Sequence, residues 1–272
     1  MPWISLLGND IHYTDQGHGD PVVLIHGRGS TKACWEPIQE ELSKTNRVLA
    51  YDSYDHGFSS NSARTAGTVV DRADELEAFI DALELENFSL MGQSMGSMTV
   101  LRWAARNPDT AKALVFCGMG WPLVVPPEGD EVATQLDPEE NIWVGVGNSF
   151  TPGWIQDNPV EYQRYIRVRS TATAIEATRH PRDINASQGE FFSQDPEVQQ
   201  QFESRIRGIK SPALFFAGDR EAPFIYAGIE NAHTLIEHSR LVVVKDAAHN
   251  AYYQEYPTLI SEFQALLSNT KV

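Results

Sequence analysis

Six short apolar runs, each bounded by turn residues, restrict the fold of this chain more than any other feature: PVVLIHG from Pro21, NRVLAYD from Asn46, NFSLMGQS from Asn87, AKALVFCG from Ala111, SPALFFAG from Ser211 and RLVVVKD from Arg240. Their Val, Leu, Ile and Phe residues run on without polar alternation, the pattern of a strand covered on both faces. Between them lie segments of helical spacing, Thr68 to Leu83 and Met95 to Arg106 among them. Strand and helix in repetition build an α/β fold with a mainly parallel sheet and helices on both faces. The earliest pieces, Ile4 to Leu7 and Ile11 to Asp15, are separated by Gly8-Asn9, which predicts a hairpin forming an antiparallel edge.

The alternation stops between about Pro122 and Ser204, where VVPPEGD and NSFTPGWIQDNP are rich in Pro and Gly and no strand-like run occurs. Helical spacing returns over Val160 to Arg169 and Thr171 to Arg179, in a segment that also holds Trp143, Phe150, Trp154, Phe191 and Phe192. Two readings fit these aromatics: the small core of a helical excursion, or the underside of a lid over a substrate pocket. In the second, Trp121, Trp143, Phe150 and Trp154 are the candidate pocket lining. The expected division is a body of residues 1–121 and 205–272 carrying an insert of residues 122–204.

With 21 Lys and Arg against 37 Asp and Glu, the net charge of −16 repels phosphate backbones and anionic lipid heads. A small-molecule substrate is therefore expected, with no nucleic-acid or membrane partner; the sequence leaves self-association into a homo-oligomer open. Cys34 and Cys117 stand far apart without a CxxC or Cys/His pairing, so neither a metal site nor a disulfide framework is expected. The N-terminal residues lack a basic region ahead of an apolar run, and no later stretch approaches the roughly 18 apolar residues of a membrane span. A reduced, cytoplasmic protein without a cofactor is the simplest expectation.

Chemistry concentrates in a few loops. GQSMG, Gly92 to Gly96, follows a strand-like run and precedes a helix-like one, a context in which Ser94 sits on a strained turn with its hydroxyl exposed above the sheet. The alternative is a glycine-rich turn with a capping serine. A serine nucleophile needs a base, and His249 in DAAHN, just after the strand RLVVVKD, lies where parallel sheets place their sites. His12, His18, His180, His233 and His238 fall in expected turns, in the insert or on helix faces, where a solvated or capping role is expected. Asp219 and Glu221 follow the strand SPALFFAG, precede His249 and can each hold its imidazole; position alone does not choose between them. HGRG, His26 to Gly29, ends another strand, and backbone N–H groups of Arg28 and Met95 would form a two-donor oxyanion hole. His26 is expected to bridge neighbouring loops.

HGRG, YDSYDHGFSS from Tyr51, GQSMG, AGDRE and AAHN together resemble the α/β-hydrolase fold family over nearly the whole chain. The resemblance implies a mostly parallel sheet flanked by helices, with residues 122–204 as a helical cap. It also implies the acid, because the family commonly carries G-x-x-D after this strand and Glu221 occupies the fourth place, with Asp219 as the alternative. One departure is Asp55, which stands where the family's second motif often has glycine. A serine at the elbow fits acyl chemistry rather than the family's aspartate-nucleophile branches. The expected activity is hydrolysis of a carboxylic ester or lactone of a small to medium, largely apolar substrate. Alternatives are a carbon–carbon bond hydrolase acting on vinylogous diketones, for which Arg28, Arg164, Arg167 or Arg169 would clamp a substrate acid, and a ligand receptor with little turnover.

Overall fold

The computed structural model describes residues 2–60, 70–122, 149–176 and 186–269. The six apolar runs form six parallel strands: β3 (Pro21–Ile25), β4 (Arg47–Tyr51), β5 (Ser89–Gln93), β6 (Ala113–Cys117), β7 (Ala213–Gly218) and β8 (Ser239–Val244). Two antiparallel strands precede them, β1 (Trp3–Leu6) and β2 (Asn9–Gly17), and complete an eight-stranded sheet in the order β1-β2-β4-β3-β5-β6-β7-β8. The hairpin turn falls on Leu7 and Gly8, both at positive φ, one residue earlier than Gly8-Asn9 suggested. Asn9 thereby becomes the first residue of β2.

Alternate residues of each parallel strand feed two cores. Val23, Ile25, Leu90, Phe116 and Phe215 pack on one face beneath the helices α2 (Arg72–Ala82), α3 (Met95–Arg106), α6 (Pro196–Arg207) and α7 (Pro223–Leu235). Val22, Leu24, Met91, Val115 and Phe216 pack on the other beneath α1 (Glu36–Leu42), α8 (Ala251–Gln254) and α9 (Tyr256–Asn269). This two-sided burial is why the strands read as unbroken apolar runs.

Between β6 and β7 the described residues contain no strand. They form α4 (Pro152–Asp157), α5 (Pro159–Glu176), a short 3-10 stretch (Ala186–Phe192) and α6. The two helical segments expected from Val160 onward are thus one continuous helix, since nothing between Arg169 and Thr171 breaks it. Apolar side chains of this region join the two cores of the body: Phe150, Tyr165 and Val168 on one face, and Phe191, Phe202 and Ile206 on the other. Its returning end is fastened to α3. Fully buried Gln188 donates to the Met95 carbonyl (3.4 Å) and to Thr99 Oγ1 (3.2 Å). Arg102, also buried, takes Glu190 at 2.6 Å and the α2 N-cap residue Asp71 at 2.5 Å. No described helix is long and apolar enough to cross a membrane.

A second ionic cluster lies past the end of β4. Asp52, fully buried, accepts from the backbone N–H of Lys32 (2.8 Å), from Lys32 Nζ (2.7 Å) and from the N–H of Phe58 (3.0 Å). Lys32 Nζ also donates to His12 Nδ1 at 2.6 Å. Burial would raise the Asp52 pKa, but the contact with His12 and the Lys32 ammonium outweigh it and hold the carboxyl well below the usual carboxylate range. His12 was expected to play a solvated or capping role; instead its ring is buried in this cluster, on the β2 stretch expected to be a strand. At Asp55 the backbone is left-handed (φ 64°), a conformation that glycine enters freely and that aspartate tolerates better than most residues.

Candidate active site

Strand β5 runs directly into α3, and Ser94 occupies the one-residue junction at φ 50°, ψ −112°. Such backbone is costly for a residue with a side chain and persists only where the surroundings fix it. Here Ser94 N–H donates to the Cys117 carbonyl at 2.8 Å. The Ser97 hydroxyl donates to the Gly92 carbonyl (2.8 Å) and accepts from Cys117 N–H (3.0 Å), joining the first turn of α3 to β5 and β6. A side chain at Gly96 would place its Cβ 2.1 Å from the Ile25 carbonyl oxygen, so glycine lets α3 start against the end of β3. That approach brings Met95 beside the HGRG loop.

The loop itself is set by His26. Its Nδ1–H donates to the Gly27 carbonyl (2.7 Å) and its Nε2 accepts from Ser53 N–H (3.1 Å), which bridges the loops after β3 and β4 and requires the neutral ring. Burial lowers its pKa to about 4 against the opposing charge of Asp52, so the ring stays neutral. Arg28 is exposed at the tip of the loop, and Met95 is buried at the start of α3.

His249 arrives on the loop after β8. Its Nδ1 meets Glu221 Oε2 at 2.8 Å, and the Glu221 carboxylate is itself buried. Asp219 lies elsewhere, partly exposed and 3.6 Å from Arg220. Glycine at position 118, where φ is +66°, leaves room for the ring: a Cβ there would stand 3.2 Å from both His249 Nδ1 and Cε1. Gly118 directly follows Cys117, whose carbonyl holds Ser94, so the elbow and the histidine share the carboxyl end of β6. Gln93 strengthens the junction by donating to Asn250 Oδ1 at 3.4 Å. Burial disfavours the imidazolium of His249, but the charge and hydrogen bond of Glu221 outweigh it, and the pKa is raised; Arg169 pulls weakly the other way.

Of the aromatic candidates, Phe150 is buried and stacks on Trp154 at 4.9 Å between centroids. Both pack with Tyr253, and Trp154 Nε1 donates to the Gln254 carbonyl at 3.2 Å. Trp121 packs edge-on against Phe202 at 5.4 Å. Trp143 lies outside the described residues. Sequence reasoning passed over the Lys32, Asp52 and His12 cluster, which has no spacing signature because its members come from three separate elements. Of the arginines weighed as a clamp, Arg164 is taken by Glu36 and Glu40, and Arg169 Nη1 donates to the carbonyls of Arg28 and Gly29. Among the described residues no group of three or more His, Cys, Asp or Glu side chains is arranged to hold a metal.

The chain is similar to several known proteins. Haloalkane dehalogenase from Agrobacterium fabrum is 34% identical over 113 residues, which cover 42% of this chain and 37% of that protein. 2-Hydroxy-6-oxo-2,4-heptadienoate hydrolase from Pseudomonas putida is 35% identical over 114 residues, 41% of each chain. The matched stretch thus spans about two fifths of the length of these relatives. Among solved structures, the enol-lactonase from Burkholderia xenovorans superposes with a TM-score of 0.78 at 20% identity, covering 98% of this chain and 100% of that one. The profile of the alpha/beta hydrolase fold matches residues 20–256, from the start of β3 to the start of the last helix. On that match and the sheet it follows, the chain belongs to the alpha/beta hydrolase fold family.

Proposed function

We propose that the protein is a serine hydrolase that cleaves a carboxylic ester or lactone with a small to medium, largely apolar body through an acyl-enzyme on Ser94. The observation that carries this reading is the Ser94 elbow at positive φ sharing one sheet end with a histidine whose Nδ1 is held by a buried glutamate. His249 takes the Ser94 proton as the hydroxyl attacks the carbonyl, and returns it to the leaving alcohol. The backbone N–H groups of Arg28 and Met95 receive the negative oxygen of the tetrahedral intermediate. Water activated by His249 then releases the acid. Glu221 fixes the tautomer of the imidazole and stabilises its charged form. Residues 122–204 act as the lid, and no cofactor takes part.

The test is stopped-flow hydrolysis of p-nitrophenyl acetate, butyrate and octanoate. A burst of about one p-nitrophenolate per protein followed by a slower steady state is expected, because acylation by an activated ester outruns deacylation. Hydrolysis without a burst, with no acyl adduct on the Ser94 peptide by mass spectrometry, overturns the reading.

A pH profile adds a second check. The base works only when neutral, and the His249 pKa lies above the ordinary imidazole value of 6.5. The kcat/KM of the wild type should therefore fall on the acid side with a midpoint above that value. Glu221→Gln removes the charge that raises it, so the midpoint should move down while the plateau drops. An unchanged midpoint would remove Glu221 from its role.

A second reading is carbon–carbon bond hydrolysis, favoured by the 35% identity to the Pseudomonas putida enzyme named for such a substrate. The dehalogenase likeness does not extend to chemistry: Ser94 has no carboxylate with which to displace a halide as an ester. Turnover of a vinylogous diketone acid faster than of any p-nitrophenyl ester would favour the second reading.

A further inference from the structure

The six parallel strands are alike in sequence as unbroken apolar runs, but β8 is not covered as that pattern requires. Within β5, β6 and β7 every residue is buried, whereas in β8 none is: Val243 is 43% exposed, and Leu241, Val242 and Val244 are only half-buried against the two cores. The strand is last in the sheet order, and among the described residues no element pairs with its outer edge. At the opposite edge, β1 is short, with four residues, and sets Ser5 among its apolar ones, which blunts it against pairing. β8 is six residues long and carries LVVV without a proline. An apolar strand left open along one edge is a template for another strand.

Pairing with β7 fixes which backbone groups point outward. Ala213 N–H donates to the His238 carbonyl (3.0 Å) and Asp219 N–H to the Val244 carbonyl (2.9 Å), so the even-numbered residues of β8 face β7. Alternation leaves the N–H and C=O groups of Leu241 and Val243 on the open side. A second copy of the same strand answers them. In an antiparallel pair about a two-fold axis, Leu241 of each copy exchanges N–H and C=O with Val243 of the other, and Val242 lies opposite itself. The same operation matches the flanking charges: Arg240 comes diagonal to Asp246 of the copy and Lys245 diagonal to Glu237, within reach of long side chains. Within its own chain Arg240 meets Glu262, while Lys245, its side chain 88% exposed, approaches Asp246 at 4.0 Å. In a chain of net charge −16, the stretch Ser239 to Lys245 holds two cations and no carboxylate. This edge is therefore attracted to the acidic surface of a second copy, where average surfaces of the chain repel.

We propose that the outer edge of β8 is a homodimer interface, closed by antiparallel pairing of two copies of the chain into one continuous sheet. The interface is independent of the reaction at Ser94. Sedimentation velocity of the full chain over a dilution series is the first measurement. The wild type should sediment as a dimer at about 100 µM and dissociate on dilution, as expected of a small interface. Val243→Pro should weaken dimerisation roughly 100-fold or more, because it removes an outward N–H and takes no hydrogen bond from β7. Val243→Lys should weaken it as well, by setting a charge on the open edge, and keeps the test intact if the proline variant melts below the wild type.

Cross-linking then tests the register. Val242→Cys sets a thiol opposite its own copy in a non-hydrogen-bonded pair, where Cα atoms lie about 4.5 Å apart, a separation that a disulfide spans. The native Cys34 and Cys117 are buried and do not compete. Mild oxidation with diamide should convert this variant to a covalent dimer. Arg240→Cys is the control. Its side chain is 44% exposed, but position 240 lies opposite Val244 and so about 14 Å from its own copy, too far for a disulfide. A wild type that stays monomeric over the whole dilution series, a dimer that survives both Val243 substitutions, or cross-linking of Arg240→Cys as fast as that of Val242→Cys overturns the interface.

Discussion

Ser94→Ala is expected to lower kcat/KM on p-nitrophenyl butyrate by about 10⁴- to 10⁶-fold and to abolish the burst, with the melting temperature unchanged. The activity loss is large because no other hydroxyl stands at the elbow: the Ser97 hydroxyl is engaged with the Gly92 carbonyl and Cys117 N–H. Stability is indifferent because Ser94 makes no side-chain cap bond to α3 and because alanine meets the same left-handed backbone as serine. The residual rate comes from the oxyanion donors and from binding, which survive the substitution. A variant retaining more than about a tenth of wild-type kcat/KM, with its burst intact, would show that another group carries the chemistry.

Asp52→Ala is expected to have the largest effect on folding, a loss of about 3–5 kcal/mol from the stranded Lys32 ammonium alone. The side chain of Lys32 is 7% exposed and that of Asp52 is 0% exposed, so solvent cannot replace the lost charge. The N–H groups of Lys32 and Phe58 lose their acceptor as well. Against a total stability of about 5–15 kcal/mol for a domain, this should leave the variant partly unfolded at 37 °C. Adding Lys32→Met should recover part of the loss, because a pair removed together leaves no uncompensated charge. Urea denaturation of both variants decides it, and a loss for Asp52→Ala below about 1 kcal/mol would mean that the cluster is hydrated. The native Asp52 pKa is depressed, so its contribution is complete above the usual carboxylate value and drains away as pH falls toward the native value.

The sheet was legible because its central strands, β3 to β7, are covered on both faces and so leave unbroken apolar runs, and because GQSMG lies between a strand and a helix. His249 was legible from its place after β8. The carboxylate facing it needed the family pattern, since Asp219 and Glu221 stand two residues apart on one loop and only backbone direction decides which side chain turns inward. His12 was misjudged because alternation along β2 puts it opposite the core residues Ile11 and Tyr13, and the partners that bury it there, Lys32 and Asp52, are distant in sequence.

Gln188 and Glu190 give the segment between β6 and β7 a fixed foot on α3. Anyone replacing this segment by one from another protein inherits that joint. A graft whose seam falls before Ala186 keeps the foot, whereas one running through to α6 deletes Glu190 and leaves Arg102 with Asp71 as its single counter-charge among the described residues. The interchangeable part of the described segment therefore ends at this joint, and a chimera cut beyond it carries a new segment on a loosened α3.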